Sequence, residues 1–138
     1  MVWGLNNYLY IRNLKKQKRL RKIFVIMKTS YFAICAKHPN AVSIASKSPP
    51  WYTGREYKKL APLYSFFKKY KEDGDEEYYT EQFFKQVLDK LDPQKVFDEL
   101  GPDAILLCYE APGKFCHRRL VAQWLFDKLG IDIPEYVK

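Results

Sequence analysis

Residues that do chemistry are scarce in this chain: its 138 residues include only three cysteines and two histidines. Three cysteines cannot all pair, and their spacing is not that of a disulfide scaffold, so the expected compartment is a reducing cytoplasm. No stretch approaches the roughly 18 apolar residues that a membrane span needs, so no membrane partner is expected. The apolar run Ile23–Met27 ends at Lys28 and is too short for a secretory signal. Internal repeats and low-complexity segments are also missing. Hydrophobic residues make up 47% and aromatics 17%, which excludes a disordered chain and at this length supplies one core.

Acidic residues are absent from the first part of the chain. Residues 1–55 hold 11 Lys or Arg and no acid, whereas residues 56–138 hold 13 basic and 16 acidic residues. The net charge of +8 therefore belongs to a tail. Arg12, Lys15, Lys16, Lys18, Arg19, Arg21 and Lys22 all precede Met27. We expect residues 1–26 to be a basic extension and residues 27–138 a single α/β domain. Three readings of the extension stay open. It is an upstream segment ahead of an alternative start at Met27, an arm whose residues 12–22 hold nucleic-acid phosphates, or a packed helix.

Beyond Met27 the pattern alternates between strand and helix. Thr29–Ala36 reads as a buried strand and Ala41–Ser46 as a second, short one. Lys47–Gly54, KSPPWYTG, cannot be regular, because consecutive prolines fix φ and remove donors. Leu60, Leu63, Tyr64 and Phe67 fall at helical spacing, and Gly74 breaks the charged stretch that follows. Tyr78–Leu91 carries one apolar stripe and predicts the clearest helix. Asp92-Pro93 predicts a cap and first turn for a helix that Gly101 ends. Ala104–Tyr109 is unbroken apolar sequence, as in a strand covered on both faces, and Phe115–Leu129 predicts the last helix. The expected fold is one compact α/β domain, three-layered and Rossmann-like, with a largely parallel sheet flanked by helices.

Most of the scarce residues crowd into Cys108–Arg119, CYEAPGKFCHRR. This segment crosses from the carboxyl end of a strand to the amino end of a helix, the edge where open α/β sheets bind ligands. No Ser, Thr, Asp or Asn stands at the helix start to cap it, which leaves backbone N–H groups for an anion. The spacing is not that of a P-loop, since Gly113-Lys114 is followed by Phe115. Nor is it a tyrosine-phosphatase loop, since Lys114 stands where the arginine six positions after Cys108 is required. On a helical wheel His117 points near the apolar face, Arg118 to one rim, Cys116 to the other and Arg119 to water. Adjacent helical residues diverge, so Cys116 and His117 make a poor nucleophile–base pair. A thiolate at Cys116 would rely on the helix dipole and Arg118. Zinc held by Cys35, His38, Cys108, Cys116 and His117 is disfavoured: Cys35 and Cys108 sit inside apolar strands, and Cys-x2-Cys pairs are missing. No metal ligand is assigned.

The sequence LLCYEAPGKFCHRRLVAQWL, residues 106–125, resembles the family named domain of unknown function 488. Leu107, Cys108, Tyr109, Glu110, Cys116, His117 and Arg118 follow its pattern in order. The stretches SIASKSPPWYTG, Leu60–Pro62 and Leu91–Pro93 look similar to one branch of the family. The resemblance spans about residues 29–130. It implies a single α/β domain in which the glutamate and the Cys-His-Arg group line a pocket, and it supplies no established reaction. Another branch has Asp-x-Arg where this chain reads Ile44-Ala45-Ser46, which leaves Trp51 and Tyr52 as pocket walls.

The expected function is an anion- or phosphate-binding pocket, with Glu110 and Cys116 as catalytic residues and His117, Arg118, Trp51 and Tyr52 as binding residues. The expected ligand is a nucleotide or other phosphorylated small molecule. Two alternatives compete with it: a nucleic-acid-associated module using the basic arm, and a structural domain in which the cluster ties helix to sheet. The cofactor and the oligomeric state are not specified by the sequence.

Overall fold

The computed structural model describes residues 25–137. Four parallel strands form one sheet in the order β1-β4-β2-β3. They are β1 (Lys28–Tyr31), β2 (Ala41–Ser43), β3 (Arg55–Glu56) and β4 (Ile105–Cys108). The central strand is β4, and all four of its residues are buried, as its unbroken apolar sequence requires. It pairs with β1 through Thr29↔Leu106 and Tyr31↔Cys108, and with β2 through Val42↔Leu106 and Ser43↔Leu107.

Five helices accompany the sheet among the described residues. They are α1 (Phe32–Cys35), α2 (Tyr64–Asp73), α3 (Glu76–Gln86), α4 (Pro93–Leu100) and α5 (His117–Leu129). Alternating side chains divide the sheet's two faces unequally. Leu106 and Val42 join a large cluster with Phe66, Phe83, Phe97 and Trp124, drawn from α2 to α5. Ile105, Leu107 and Ala41 join a small one with Phe32 and Cys35, against which Tyr52 and Tyr136 pack. The result is the expected three-layer α/β fold with one thin layer.

Local chemistry explains the helix ends. Asp92 accepts from the N–H groups of Gln94 and Lys95, and Pro93 opens α4. Asp75 caps α3 by accepting from Tyr78 N. The structure begins that helix at Glu76, two residues before its predicted start, because the apolar stripe does not register an exposed cap. It stops at Gln86, and Leu88–Lys90 continues as a 3-10 turn.

Two other expectations change. The strand predicted over Thr29–Ala36 ends at Tyr31, and one helical turn follows, which buries both Phe32 and Cys35 under the thin face. The strand predicted over Ala41–Ser46 ends at Ser43, although Ile44 N still bonds Leu107 O at 3.0 Å. The two-residue strand β3 is exposed and leaves no apolar signature.

The final segment straps onto β1: Thr29 N donates to Pro134 O and Tyr136 N donates to Thr29 O. At the other end the basic extension, expected over residues 1–26, lies outside the described residues up to position 24. Val25 is buried in the large cluster, and Ile26 N donates to Pro102 O at 2.9 Å. Removing residues 1–24 should leave the thermal midpoint within a few degrees of the full chain. Val25→Ala should cost about 1.5–3 kcal/mol, read as a lower urea midpoint at unchanged slope.

Candidate functional site

The carboxyl ends of β4 and β2 meet the amino end of α5. Cys108 closes β4, and Cys116 is the N-cap of α5, with extended backbone (φ −155°, ψ 141°) and no side-chain cap bond. Cys116 therefore stands outside the helix, and the expected divergence of Cys116 from His117, which assumed two helical residues, does not apply. Cys116 Sγ lies 3.9 Å from His117 Nδ1. The sulfurs of Cys108 and Cys116 are paired, a pairing the spacing did not suggest, while Cys108 is a buried core residue as its place in an apolar strand implies. Both are buried. Cys35 is the free cysteine among the described residues.

His117 Nε2 lies 2.8 Å from the carbonyl oxygen of Ile44. A carbonyl only accepts, so Nε2 carries the proton and the lone pair of the neutral ring sits on Nδ1, toward Cys116. Burial pushes the imidazole down from 6.5 to about 4, and the nearby Arg118 charge acts in the same direction. Phe83 packs edge-on against the ring at 5.5 Å.

Arg118 was expected at a rim, and the structure buries it to 1% exposure. Its Nε donates to Glu135 Oε1 at 2.8 Å. One terminal nitrogen donates to Glu110 O at 2.7 Å and to Cys108 Sγ at 3.1 Å. Arg119, expected to point to water, is exposed, and it also donates to Thr29 Oγ1 at 2.8 Å and Ile133 O at 2.7 Å. Thr29 in turn donates to Glu135 Oε1 at 3.0 Å. The reason for the Arg118 correction is the strap, whose carboxylate meets its guanidinium, while the strap's Ile133 carbonyl accepts from Arg119. A helical wheel built from local sequence contains neither partner.

The other candidates separate. Glu110 is exposed at the end of β4, on the same edge as the cysteines; burial raises Tyr70, Tyr79 and Tyr109 above the usual phenol range, and the Glu110 charge adds to this. Tyr52 packs on Phe32 at 5.3 Å and donates to Arg55 O at 2.8 Å. Its place in the small cluster puts it on the sheet face opposite Leu106 and Cys108. Trp51 is 59% exposed. An open cavity of about 250 Å³ on the flank of α5 is lined by Arg119, Gln123, Phe126 and Asp132 among others, and by none of the cysteine-cluster residues.

Sequence reasoning missed Glu135 and Thr29, whose signal is a lone acid and a strand threonine. It also missed a hydroxyl network at the β2 and β3 ends. Ser48 Oγ lies 2.7 Å from Ser43 Oγ and 2.5 Å from Glu56 Oε2. The Ser48 bond and Lys58 hold the Glu56 carboxyl below its usual range.

The chain matches the family profile described as the active DUF488-N3 subclade over residues 11–129. The chain belongs to the DUF488-N3a family. The match begins at residue 11, further upstream than the resemblance read from motifs alone, and so includes the whole basic run from Arg12 to Lys22. No curated protein and no solved structure matches the chain. Among the described residues no helix is long and apolar enough to cross a membrane.

Two outcomes follow from the burial of His117 and Arg118. In metal-free, disulfide-intact protein the folded state keeps His117 neutral down to about pH 4, while the unfolded chain protonates it near 6.5. Between those values the unfolded state binds the extra proton, so stability falls as pH falls, by about 3 kcal/mol in all. Urea titrations from pH 7 to 4 should show this slope, and His117→Gln should flatten it. Arg118→Ala, which strands the Glu135 carboxylate, should cost about 3–5 kcal/mol, and a denaturation curve will register it without any ligand.

Proposed function

We propose that this chain is a small thiol-dependent enzyme whose reacting group is the Cys116 sulfur, with Cys108 as its partner thiol. The observation that carries the reading is the convergence of Cys108 Sγ, Cys116 Sγ and His117 Nδ1 within 4.8 Å of one another, with the Arg118 guanidinium 3.1 Å from Cys108 Sγ. A cation beside one sulfur and a helix amino end beside the other both favour thiolate over thiol. The family's description as an active subclade fits a retained chemical centre. Glu110 supplies acid–base chemistry in this reading, its backbone fixed to the same edge by Arg118.

The substrate class we assign is a phosphorylated small molecule or nucleotide. Support comes from the uncapped amino end of α5 and from exposed Lys114 on the preceding loop, since helix N–H groups and a lysine together suit an anion. Arg118 acts through the sulfur and the Glu110 backbone in this reading, and not as the anion's own ligand. A second reading, a nucleic-acid-associated module, draws on the exposure of Trp51, which suits base stacking, and on the positive charges of residues 12–22.

The test of the thiol reading is alkylation of reduced, metal-free protein with iodoacetamide across pH, read by mass spectrometry. Cys116 should label faster than Cys35, with a midpoint below the ordinary thiol value of about 8.5. Equal sluggishness at both would remove the nucleophile. A rise in melting temperature with ADP or inorganic phosphate, reduced in Lys114→Ala, checks the substrate class separately.

A further inference from the structure

The two sulfurs and the imidazole also have the arrangement of a metal site. We infer that in the reduced protein Cys108 Sγ, Cys116 Sγ and His117 Nδ1 form a three-ligand site for a zinc-like divalent ion. The inference goes beyond the thiol reading, since it concerns ligation and needs no reaction.

Four features argue for it. The donor set is two thiolates and one neutral imidazole, a combination of sulfur and nitrogen that selects zinc among common divalent ions. All three ligand atoms are buried and lie within 4.8 Å of one another. Two thiolates on a tetrahedral ion, each about 2.3 Å away, lie about 3.8 Å apart, and a thiolate and an imidazole nitrogen about 3.6 Å apart. Cys116 Sγ and His117 Nδ1 are already 3.9 Å apart. The Cα atoms of Cys108 and Cys116 are 7.2 Å apart, beyond the usual disulfide span of about 4.4–6.8 Å. Side-chain rotation can therefore open the sulfurs around an ion on this backbone.

The outer contacts are also in place. The Ile44 carbonyl accepts from Nε2–H, which fixes the tautomer that presents Nδ1, as a second-shell partner does in zinc sites. Arg118 donates to Cys108 Sγ and would stabilise that ligand as thiolate. A divalent ion with two thiolates is neutral, so the Arg118–Glu135 pair keeps its own balance. Cys35 and His38 take no part: Cys35 packs in the small cluster, and His38 Nδ1 accepts from Asn40 N. With three protein ligands, one tetrahedral position is left for water or a substrate atom.

Formation of the site has a defined balance. A phosphine reductant supplies two electrons, and water two protons, to open the sulfur pair into two thiols, with the phosphine leaving as its oxide. Binding of the ion then releases the two thiol protons, while His117, already neutral at Nδ1, releases none.

The test uses Co2+ as the spectroscopic probe and Zn2+ as its competitor, on full-length protein reduced with a phosphine. One Co2+ per chain should bind with thiolate-to-cobalt charge-transfer absorption and intense tetrahedral d–d bands, and one equivalent of Zn2+ should erase both. The signal should be lost in Cys116→Ser and in oxidised wild type, kept in Cys35→Ser, and weakened in His117→Gln. Circular dichroism and melting curves check that each variant folds. Comparing oxidised with reduced wild type needs no variant at all. Reduced wild type without stoichiometric binding, or bands that survive in Cys116→Ser, would overturn the site. An unchanged spectrum in His117→Gln would overturn the imidazole ligand and with it the mixed sulfur–nitrogen donor set. Fast alkylation of Cys116 without cobalt binding would leave the thiol reading intact and sink this one, so the two fail separately.

Discussion

A guanidinium withdrawn from water must have its charge and its donors met by protein, and at Arg118 the groups that meet them come from three residues on two parts of the chain. Glu135 brings the carboxylate from the final strap, Cys108 brings sulfur from the end of β4, and Glu110 brings a carbonyl from the loop beyond it. Each contact fixes something else. The carboxylate aligns the strap with β1 through Thr29, the sulfur contact places one cysteine, and the carbonyl holds the start of the exposed loop. The cysteine pair and the amino end of α5 are aligned around this one cation. Arg118, which reads from local sequence as a charge available to a ligand, thus has its donors met by Glu135, Cys108 and Glu110.

How much of this was legible depended on whether the deciding partner was near in sequence. The buried run Ile105–Cys108 announces a central strand because both of its faces are covered, and no distant information is needed. Asp92-Pro93 and Gly101 bracket α4 through contacts within a few residues. The crowding of Cys108, Glu110, Cys116, His117 and Arg118 was visible for the same reason, and the structure keeps them on one edge. Legibility failed where the partner was remote. Nothing near Arg118 or Arg119 predicts Glu135 or Ile133 O. Nothing near His117 predicts the Ile44 carbonyl, 73 residues away. The pairing of Cys108 with Cys116 escaped because the wheel treated Cys116 as helical, whereas its extended backbone releases the side chain from that geometry. Tyr52 was offered as a pocket wall on the strength of the family resemblance, and it packs with the small cluster, on the sheet face opposite Cys108 by β-alternation.

The unequal layers give the edge its character. One face of the sheet carries four helices and most of the apolar mass, while the other is closed by a single helical turn, Tyr52 and Tyr136. Side chains at the carboxyl edge therefore differ in support according to the face they occupy. The cysteines and His117 rest against the thick layer, with Phe83 packed on the imidazole. The Ser43, Ser48 and Glu56 hydroxyl–carboxylate chain rests on the thin one, partly open to solvent.

The bond from Thr29 to Glu135 spans 106 residues, and that span bears on the order in which the chain is assembled. During synthesis β1 emerges first, but its parallel neighbour β4 follows about 77 residues later by register, and the carboxylate for Arg118 later still. Contacts of such separation form late, because the loop between them must close before they contribute. Until then Arg118 lacks its carboxylate partner, and only its contacts to Cys108 and Glu110 are local in sequence. A nascent chain halted short of residue 135 would hold every cysteine and histidine of the cluster and still lack the carboxylate that pairs with Arg118. The Arg118–Glu135 pair is thereby tied to the arrival of the last strap, after the cysteines and the histidine beside it have already been made.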